Sequence, residues 1–330
     1  MRLFLFALCV LAETPALADD VDLKAIVADH VVPRYQSLAA EAAYLRVAAA
    51  RDCAPDNAQL VTAYHDAFDA WVRVSHLRFG PSEQNGRAFA LAFWPDPRSA
   101  TPRALSALIQ NNDAAVTQPD AFSTVSIAAR GIYALDYMLC DPQFSVTINR
   151  SRHCALVRAI TGDIATNAAA ILDGWQGGYG TEMSRPGNDR FRTTSEAERQ
   201  LFTALMTGLE FTAHARLGRP LGTFDRPRPS RAEAWRSGRS LRHVILSLQA
   251  TAHLANLISG SDPQLTAALA TAIARAEVLN DPIFAGVSDP QTRLRIEVLQ
   301  QNVNAIRLHL TQRVGPSLGI AAGFNALDGD

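Results

Sequence analysis

The sequence predicts an all-α protein made of two helical bundles packed side by side. Three observations predict this class: apolar residues recur at helical spacing, capping residues precede most of these stretches, and alternating β-branched runs are nearly absent. The spacing is clearest in two series, Val125, Ala128, Ile132, Leu135 and Leu139 in the first half and Leu241, Ile245, Leu248, Ala252 and Ala255 in the second.

Capping residues set the helix boundaries. N-caps followed by proline stand at Thr101-Pro102, Asp262-Pro263 and Asp289-Pro290, capping boxes join Ser195 to Glu198 and Ser230 to Glu233, and glycines that would end helices stand at 80, 174, 218 and 260. Pro33 is a candidate kink within the first helix. The predicted helices are 21–50, 55–79, 101–115, 122–140, 152–173, 195–217, 231–259, 262–280 and 289–313.

A glycine-rich stretch from Gly174 to Gly180 interrupts the helical pattern and continues as polar sequence to Thr194. We therefore expect a first bundle over 19–174, a linker over 175–194 and a second bundle over 195–330. The segment 80–100 is a second irregular stretch, and loops of that length within a compact domain are often functional.

Composition and charge narrow the class of protein. The 330 residues are 48% hydrophobic and 19% charged, which excludes a disordered chain. The net charge is −1 and no block of like charge occurs, so we predict no nucleic-acid partner.

The N-terminus has the pattern of a secretory signal peptide. Met1-Arg2 precedes an apolar run over 3–12, and Ala16-Leu17-Ala18 forms a small-x-small cleavage site. The run is too short to cross a bilayer, and no later uncharged stretch is long enough, so we predict no transmembrane span. The mature protein should be periplasmic, with cleavage after Ala18.

Three cysteines remain after cleavage, so one disulfide and one free thiol are expected. Cys140 ends one predicted helix and Cys154 begins the next, and the short loop between them would bring them together. The predicted disulfide is Cys140–Cys154, with Cys53 as the free thiol.

Polar side chains gather at two places in the first bundle. Tyr133 and Asp136 share one helix face, and Trp71 and His76 lie near the end of the helix over 55–79. The simpler interpretations are a tyrosine at the edge of the core that donates to a nearby aspartate, and a solvated helix end anchored by tryptophan.

Two helical pairs, His65 with Asp69 and Glu210 with His214, have a spacing that could share a metal ion. Such acid–base pairs are also common on helix surfaces. The sequence contains neither His-Glu-x-x-His nor Gly-x-Ser-x-Gly. We therefore predict no catalytic residues, no metal ligands and no resident cofactor.

Several segments together resemble the imelysin family, over nearly the whole mature chain. They are the signal peptide, Trp71 to Pro81, Gly131-Ile132-Tyr133-Ala134-Leu135-Asp136, Arg231-Ala232-Glu233-Ala234-Trp235-Arg236-Ser237 with Ser240, and the ending over 323–330. The resemblance implies two helical bundles with a site near their interface, a place in the cell envelope and a link to iron uptake. The family signature is Gly-x-His-x-x-Glu, and here its histidine is Tyr133 and its glutamate is Asp136.

That departure sets the predicted function. A neutral tyrosine is a poor zinc ligand and aspartate reaches less far than glutamate, so the implied peptidase chemistry is weakened. We predict a binding or accessory protein whose partner is an envelope protein or a small ligand related to iron or haem. A metal-dependent peptidase and a purely structural partner-binding module are the alternatives.

The predicted binding site lies between the bundles, with Trp71 and His76 close by. Tyr133 and Asp136 would face Arg231, Glu233 and Ser237, because Arg231 and Glu233 open the predicted helix 231–259. Arg231 would pair with the carboxylates and keep them ionised.

Overall fold

The computed structural model describes residues 21–146 and 148–320. Within these ranges the chain is helical, and the nearest approach to a strand is an isolated bridge between Thr223 and Arg226. The all-α prediction is confirmed. The predicted signal peptide, 1–18, and the family-like ending, 323–330, lie outside the described residues.

The first half contributes five main helices. They are α1 (residues 23–51), α2 (Ala58–Val74), α3 (Ala100–Gln110), α4 (Gly131–Cys140) and α5 (Arg150–Ser184). Short helical segments at Arg87–Leu91, Pro119–Phe122 and Pro142–Ser145 connect them.

The second half contributes α6 (residues 194–221), α7 (Ser240–Ile258), α8 (Pro263–Glu277) and α9 (residues 290–317). The predicted caps at Asp262 and Asp289 are confirmed, since their carboxylates accept the N–H of Leu265 and of Thr292. The predicted helix start at 231 is wrong: residues 232–239 form turns, and α7 begins at Ser240.

The helix that precedes the glycine-rich stretch does not end at Gly174. It continues through a π-helical turn, Trp175–Tyr179, to Ser184. The buried apolar side chains from Leu23 to Ile320 form one continuous cluster. The division into two bundles stays a prediction.

Helix α5 has a length and an apolar composition that would suffice to cross a bilayer. The core helix of a soluble protein can have the same properties. Here α5 packs along α1, with buried Ile160, Ile164 and Ile171 on its inner side. The absence of a membrane span stays a prediction.

Two of the π-helical turns carry buried polar side chains. The turn Ile26–Val31 carries buried His30, and the turn Phe211–Leu217 carries buried Arg216. Single π-helical turns inside α-helices occur frequently at functional sites.

The predicted disulfide is wrong: Cys53 pairs with Cys154, and Cys140 is the free thiol. Helices α1 and α5 run antiparallel, with Arg158 bonded to the carbonyl of Ala49 near one end and the ring of Tyr35 stacked on Trp175 farther along. This packing places Cys53, just after α1, beside Cys154 near the start of α5, with Cα atoms 5.2 Å apart.

Removing this disulfide should destabilise the fold. The bond joins residues 101 positions apart, and native disulfides typically contribute about 2–4 kcal/mol by restricting the unfolded chain. We expect a Cys53→Ser, Cys154→Ser double variant to lose about that much unfolding free energy in urea titrations. The matched Cys140→Ser variant should change by less than about 1 kcal/mol. A Cys140–Cys154 peptide in unreduced digests would contradict the pairing.

Candidate functional site

The site begins with a bond between the two halves of the chain. The hydroxyl of Tyr133, on α4, donates a hydrogen bond to Oε1 of Glu233, in the turns before α7. Both side chains are buried. A positive φ at Gly131 positions α4, and a Cβ there would overlap the carbonyl oxygens of Ala90 and Leu91.

Arg216 neutralises the negative charge of Glu233 in this contact. Its Nε donates to Oε2 of Glu233 at 2.7 Å, and the two side chains are only 2% and 1% exposed. Its other nitrogens donate to the hydroxyl oxygens of Ser247 at 3.0 Å and Ser75 at 3.3 Å. A buried pair held by further hydrogen bonds in this way fixes the geometry of both groups.

His243 is the fourth member of the group. Its Nδ1 lies 3.2 Å from Oε2 of Glu233, its ring packs 4.3 Å from that of Phe68, and it is fully buried. Burial lowers the pKa of His243, although the charge of Glu233 acts in the opposite direction. The imidazole is therefore neutral beside the ion pair.

Burial and neighbouring charges also set the ionisation states of Glu233 and Tyr133. Burial would raise the pKa of Glu233, but Arg216 and then His243 outweigh it and hold that pKa at about 2. Burial, and then the charge of Glu233, raise the pKa of Tyr133 well above 10. The network is thus a neutral phenol that donates to a carboxylate, which is paired in turn with a guanidinium.

Asp136 belongs to a neighbouring network. The Tyr64 hydroxyl donates to its Oδ1 at 2.6 Å and lies 3.4 Å from the Ser237 hydroxyl. Burial raises the pKa of Asp136, although Ser237 and Tyr64 act in the opposite direction. Asp136 and Glu233 therefore lie on adjoining hydrogen-bond networks, with no common hydrogen-bond partner in the part of the chain that the structure describes.

Two cavities adjoin Tyr133, whose ring stacks on Trp94 with ring centres 6.0 Å apart. The Arg219 cavity, about 350 Å³, is lined by residues that include Trp94, Tyr133, Arg219 and Arg231. The His76 cavity, about 220 Å³, is lined by residues that include His76, Trp94, Tyr133 and Arg216. Because Tyr133 and Trp94 line both spaces, they form the wall between them.

A chain of three histidines leads away from the His76 cavity. Nε2 of His76 lies 2.8 Å from Nε2 of His30, whose Nδ1 lies 2.9 Å from Nδ1 of His253. His30 and His76 are buried, while His253 is exposed. Burial, followed by the charges of Arg34 and Arg216, lowers the pKa of His76 to about 3.

The structure brings most of the predicted site residues together. Tyr133 meets Glu233, and Asp136 meets Ser237, within the two adjoining networks. Trp71 and His76 line the His76 cavity. Their role in ligand binding stays a prediction.

Arg231 does not play its predicted part. It is exposed, lines the Arg219 cavity and forms no ion pair with any residue of 21–146 or 148–320. Arg216 pairs with Glu233 instead. Sequence reasoning missed Arg216, Tyr64, His243 and Trp94, although Trp94 lies in the irregular segment 80–100, whose length predicts a functional loop.

The two helical pairs considered as metal ligands are engaged elsewhere. Asp69 pairs with Arg239 and Arg242, and Glu210 pairs with Arg307 at 2.8 Å. Among the described residues, no group of three or more histidine, cysteine, aspartate or glutamate side chains has a metal-holding arrangement.

The sequence model of the imelysin family, peptidase family M75, matches residues 31–310. The chain belongs to the imelysin family. An imelysin-like protein from Psychrobacter arcticum 273-4 shares its fold, with a TM-score of 0.78 and 19% identity over 96% of this chain and 100% of the other.

A second solved structure also has this fold. It is described as an iron-regulated protein A precursor from Parabacteroides distasonis ATCC 8503. The TM-score is 0.71 and the identity 12%, over 89% of this chain and 96% of that one. No curated protein sequence matches the chain significantly.

At the imelysin signature positions, the residues of this chain do not fit a divalent metal ion. The Tyr133 hydroxyl donates to Glu233, and the carboxylate of Asp136 accepts from Tyr64. The phenol is neutral, since its pKa is raised by burial, and a neutral phenol is a poor ligand for zinc. Internal hydrogen bonds therefore hold the two side chains that the family signature would offer to a metal.

Proposed function

We propose that this imelysin-family protein is an exported periplasmic binding or accessory protein of the cell envelope. It holds a small ligand in the Arg219 cavity and does not cleave peptides. The observation that carries the proposal is the network of Tyr133, Glu233 and Arg216. Tyr133, at the histidine position of the family signature, is fixed by this network and lines a cavity large enough for a small molecule.

The compartment rests on two features. Residues 1–18 have the pattern of a signal peptide, and the Cys53–Cys154 bond is of a kind that persists in oxidising compartments. The name of the Parabacteroides distasonis relative refers to iron regulation, which supports a link between this chain's ligand and iron or haem uptake.

The first test separates binding from peptidase activity. Protein purified from the periplasm should contain no stoichiometric zinc by elemental analysis and should not cleave insulin chains. Chelator-sensitive cleavage that is lost in a Tyr133→Phe, Asp136→Asn double variant would favour the metal-dependent peptidase instead.

The second test places the ligand. Native mass spectrometry of the same preparation should show a non-covalent small molecule on the folded chain. A Ser230→Phe variant should lose it, because this exposed serine lines the rim of the Arg219 cavity. A Ser151→Phe variant is the control, since Ser151 is exposed and lines neither cavity. Equal retention by both variants would contradict the location.

A further inference from the structure

The Arg219 cavity is lined by two positive charges that no ion pair within the described chain balances. Three arginines line it, and only Arg236 has an acidic partner, Asp141 at 2.6 Å. Arg219 and Arg231 form no ion pair with any described residue. Two cations therefore face the cavity without a carboxylate paired directly to either of them.

The carboxylates that line the same cavity are engaged elsewhere. Asp96 accepts the backbone N–H groups of Ala100 and Thr101, each at 2.8 Å, and so fixes the start of α3. Asp136 is held by Tyr64 and Ser237. Neither carboxylate lies within ion-pair distance of Arg219 or Arg231.

Arg219 is held in a partly desolvated position. Its guanidinium lies 5.7 Å from the centre of the Trp94 ring, and its Nε is buried without a hydrogen-bond partner among the described residues. Burial, and then the nearby charge of Arg231, lower the pKa of Arg219. An anion between the two side chains would relieve the repulsion of like charges.

The rest of the cavity suits the body of an organic molecule. Aromatic side chains line it, namely Phe93, Trp94, Tyr133, Tyr137 and Trp235. Tryptophan and tyrosine offer flat apolar faces, and small-molecule sites commonly combine such walls with a few placed polar groups.

We propose that Arg219 and Arg231 form an anion subsite, which binds the carboxylate or phosphate group of a small ligand whose planar body lies against the aromatic wall of the cavity. This inference rests on the proposed binding function and names the chemical class of its ligand. Arginine suits the role because its planar fork of donors matches carboxylate and phosphate oxygens.

The test compares probes that differ only in charge. Benzoate and neutral benzamide have the same shape, and inorganic phosphate carries the anion without the ring. By calorimetry at low salt, benzoate should bind and benzamide should bind about ten- to a hundredfold more weakly, the loss expected for one or two charge-assisted hydrogen bonds. Phosphate at millimolar concentration should compete with benzoate.

Variants assign the effect to the two arginines. Arg219→Gln and Arg231→Gln should each weaken benzoate binding by about tenfold or more. Arg231 is exposed, so its variant should fold even if the Arg219 variant does not. Arg313→Gln, at an exposed arginine that lines neither cavity, should leave binding unchanged.

The outcomes separate this inference from the proposed function. If benzamide binds as tightly as benzoate and Ser230→Phe abolishes both, the cavity binds ligands and the anion subsite is wrong. If neither benzoate nor phosphate binds at millimolar concentration, or if the arginine variants bind as the unmodified protein does, the subsite is wrong. A small molecule that native mass spectrometry shows in the cavity would still support the binding function.

Discussion

Replacing Arg216 by methionine should lower the unfolding free energy by about 3–5 kcal/mol, because Glu233 would be left charged and unpaired inside the protein. Glu233 is 1% exposed, and its other close partners are neutral Tyr133 and neutral His243. The phenol of Tyr133 cannot carry a positive charge, and burial opposes protonation of His243. Urea unfolding at neutral pH measures the change.

A double variant tests the physical reason. In Arg216→Met, Glu233→Met both charges are absent, so the desolvation penalty of the remaining carboxylate disappears and much of the lost free energy should return. Arg313→Met, at an exposed site, is the control for the substitution itself and should change stability by less than about 0.5 kcal/mol. Losses in the two single variants that simply add in the double variant would contradict the coupling.

The sequence could predict the helical class because the periodicity of apolar residues is a local property. The last three apolar residues of the series from Val125 to Leu139 lie on helix α4, and they are buried as expected. The sequence also predicts the approach of Tyr133 to Glu233, but from a helix start at 231 that the structure does not have. Glu233 does not cap a helix; it lies in the turns over 232–239, where burial beside Arg216 fixes it.

Long-range packing could not be predicted in the same way. The short chain separation between Cys140 and Cys154 favoured their pairing, but the antiparallel contact of α1 with α5 places Cys53 beside Cys154. A single sequence gives no signal for which two helices meet.

The structural role of a glycine could not be predicted from the sequence for a related reason. Gly174 looked like the end of a helix, yet the helix continues, and a Cβ at this position would overlap Pro81. The residue therefore permits a close approach of the segment that follows α2. The sequence shows that a side chain is missing, but only the fold shows which neighbour needs the space.

Acid should destabilise the protein through its buried histidines. This effect should begin well above the pH at which an ion-paired carboxylate such as that of Glu233 is protonated. Burial lowers the pKa of His30 well below 6.5 and that of His76 to about 3, and nearby Arg34 adds to both effects. The folded protein therefore keeps both rings neutral at a pH where the unfolded chain, with ordinary values near 6.5, binds protons. Stability that is fully present above about pH 6.5 is then lost as the pH falls toward 3.

The size of the effect follows from the difference in bound protons. At about pH 5, His76 stays neutral in the fold and should lower the unfolding free energy by about 2 kcal/mol relative to neutral pH, and His30, whose pKa is also lowered, adds to this loss. Asp136 acts in the opposite direction, since its raised pKa favours the folded state as the pH falls. Glu233, whose pKa is about 2, adds to the loss only below about pH 4.5.

Urea unfolding at a series of values from about pH 7.5 to about pH 5 measures this dependence, and its slope counts the protons taken up on unfolding. A His76→Gln variant should reduce the slope by about one proton, because glutamine can keep a hydrogen bond to His30 but cannot titrate. The matched His214→Gln variant, at an exposed histidine, should leave the slope as it is. If His76→Gln also leaves the slope as it is, buried His30 and His76 are not what makes the fold sensitive to acid.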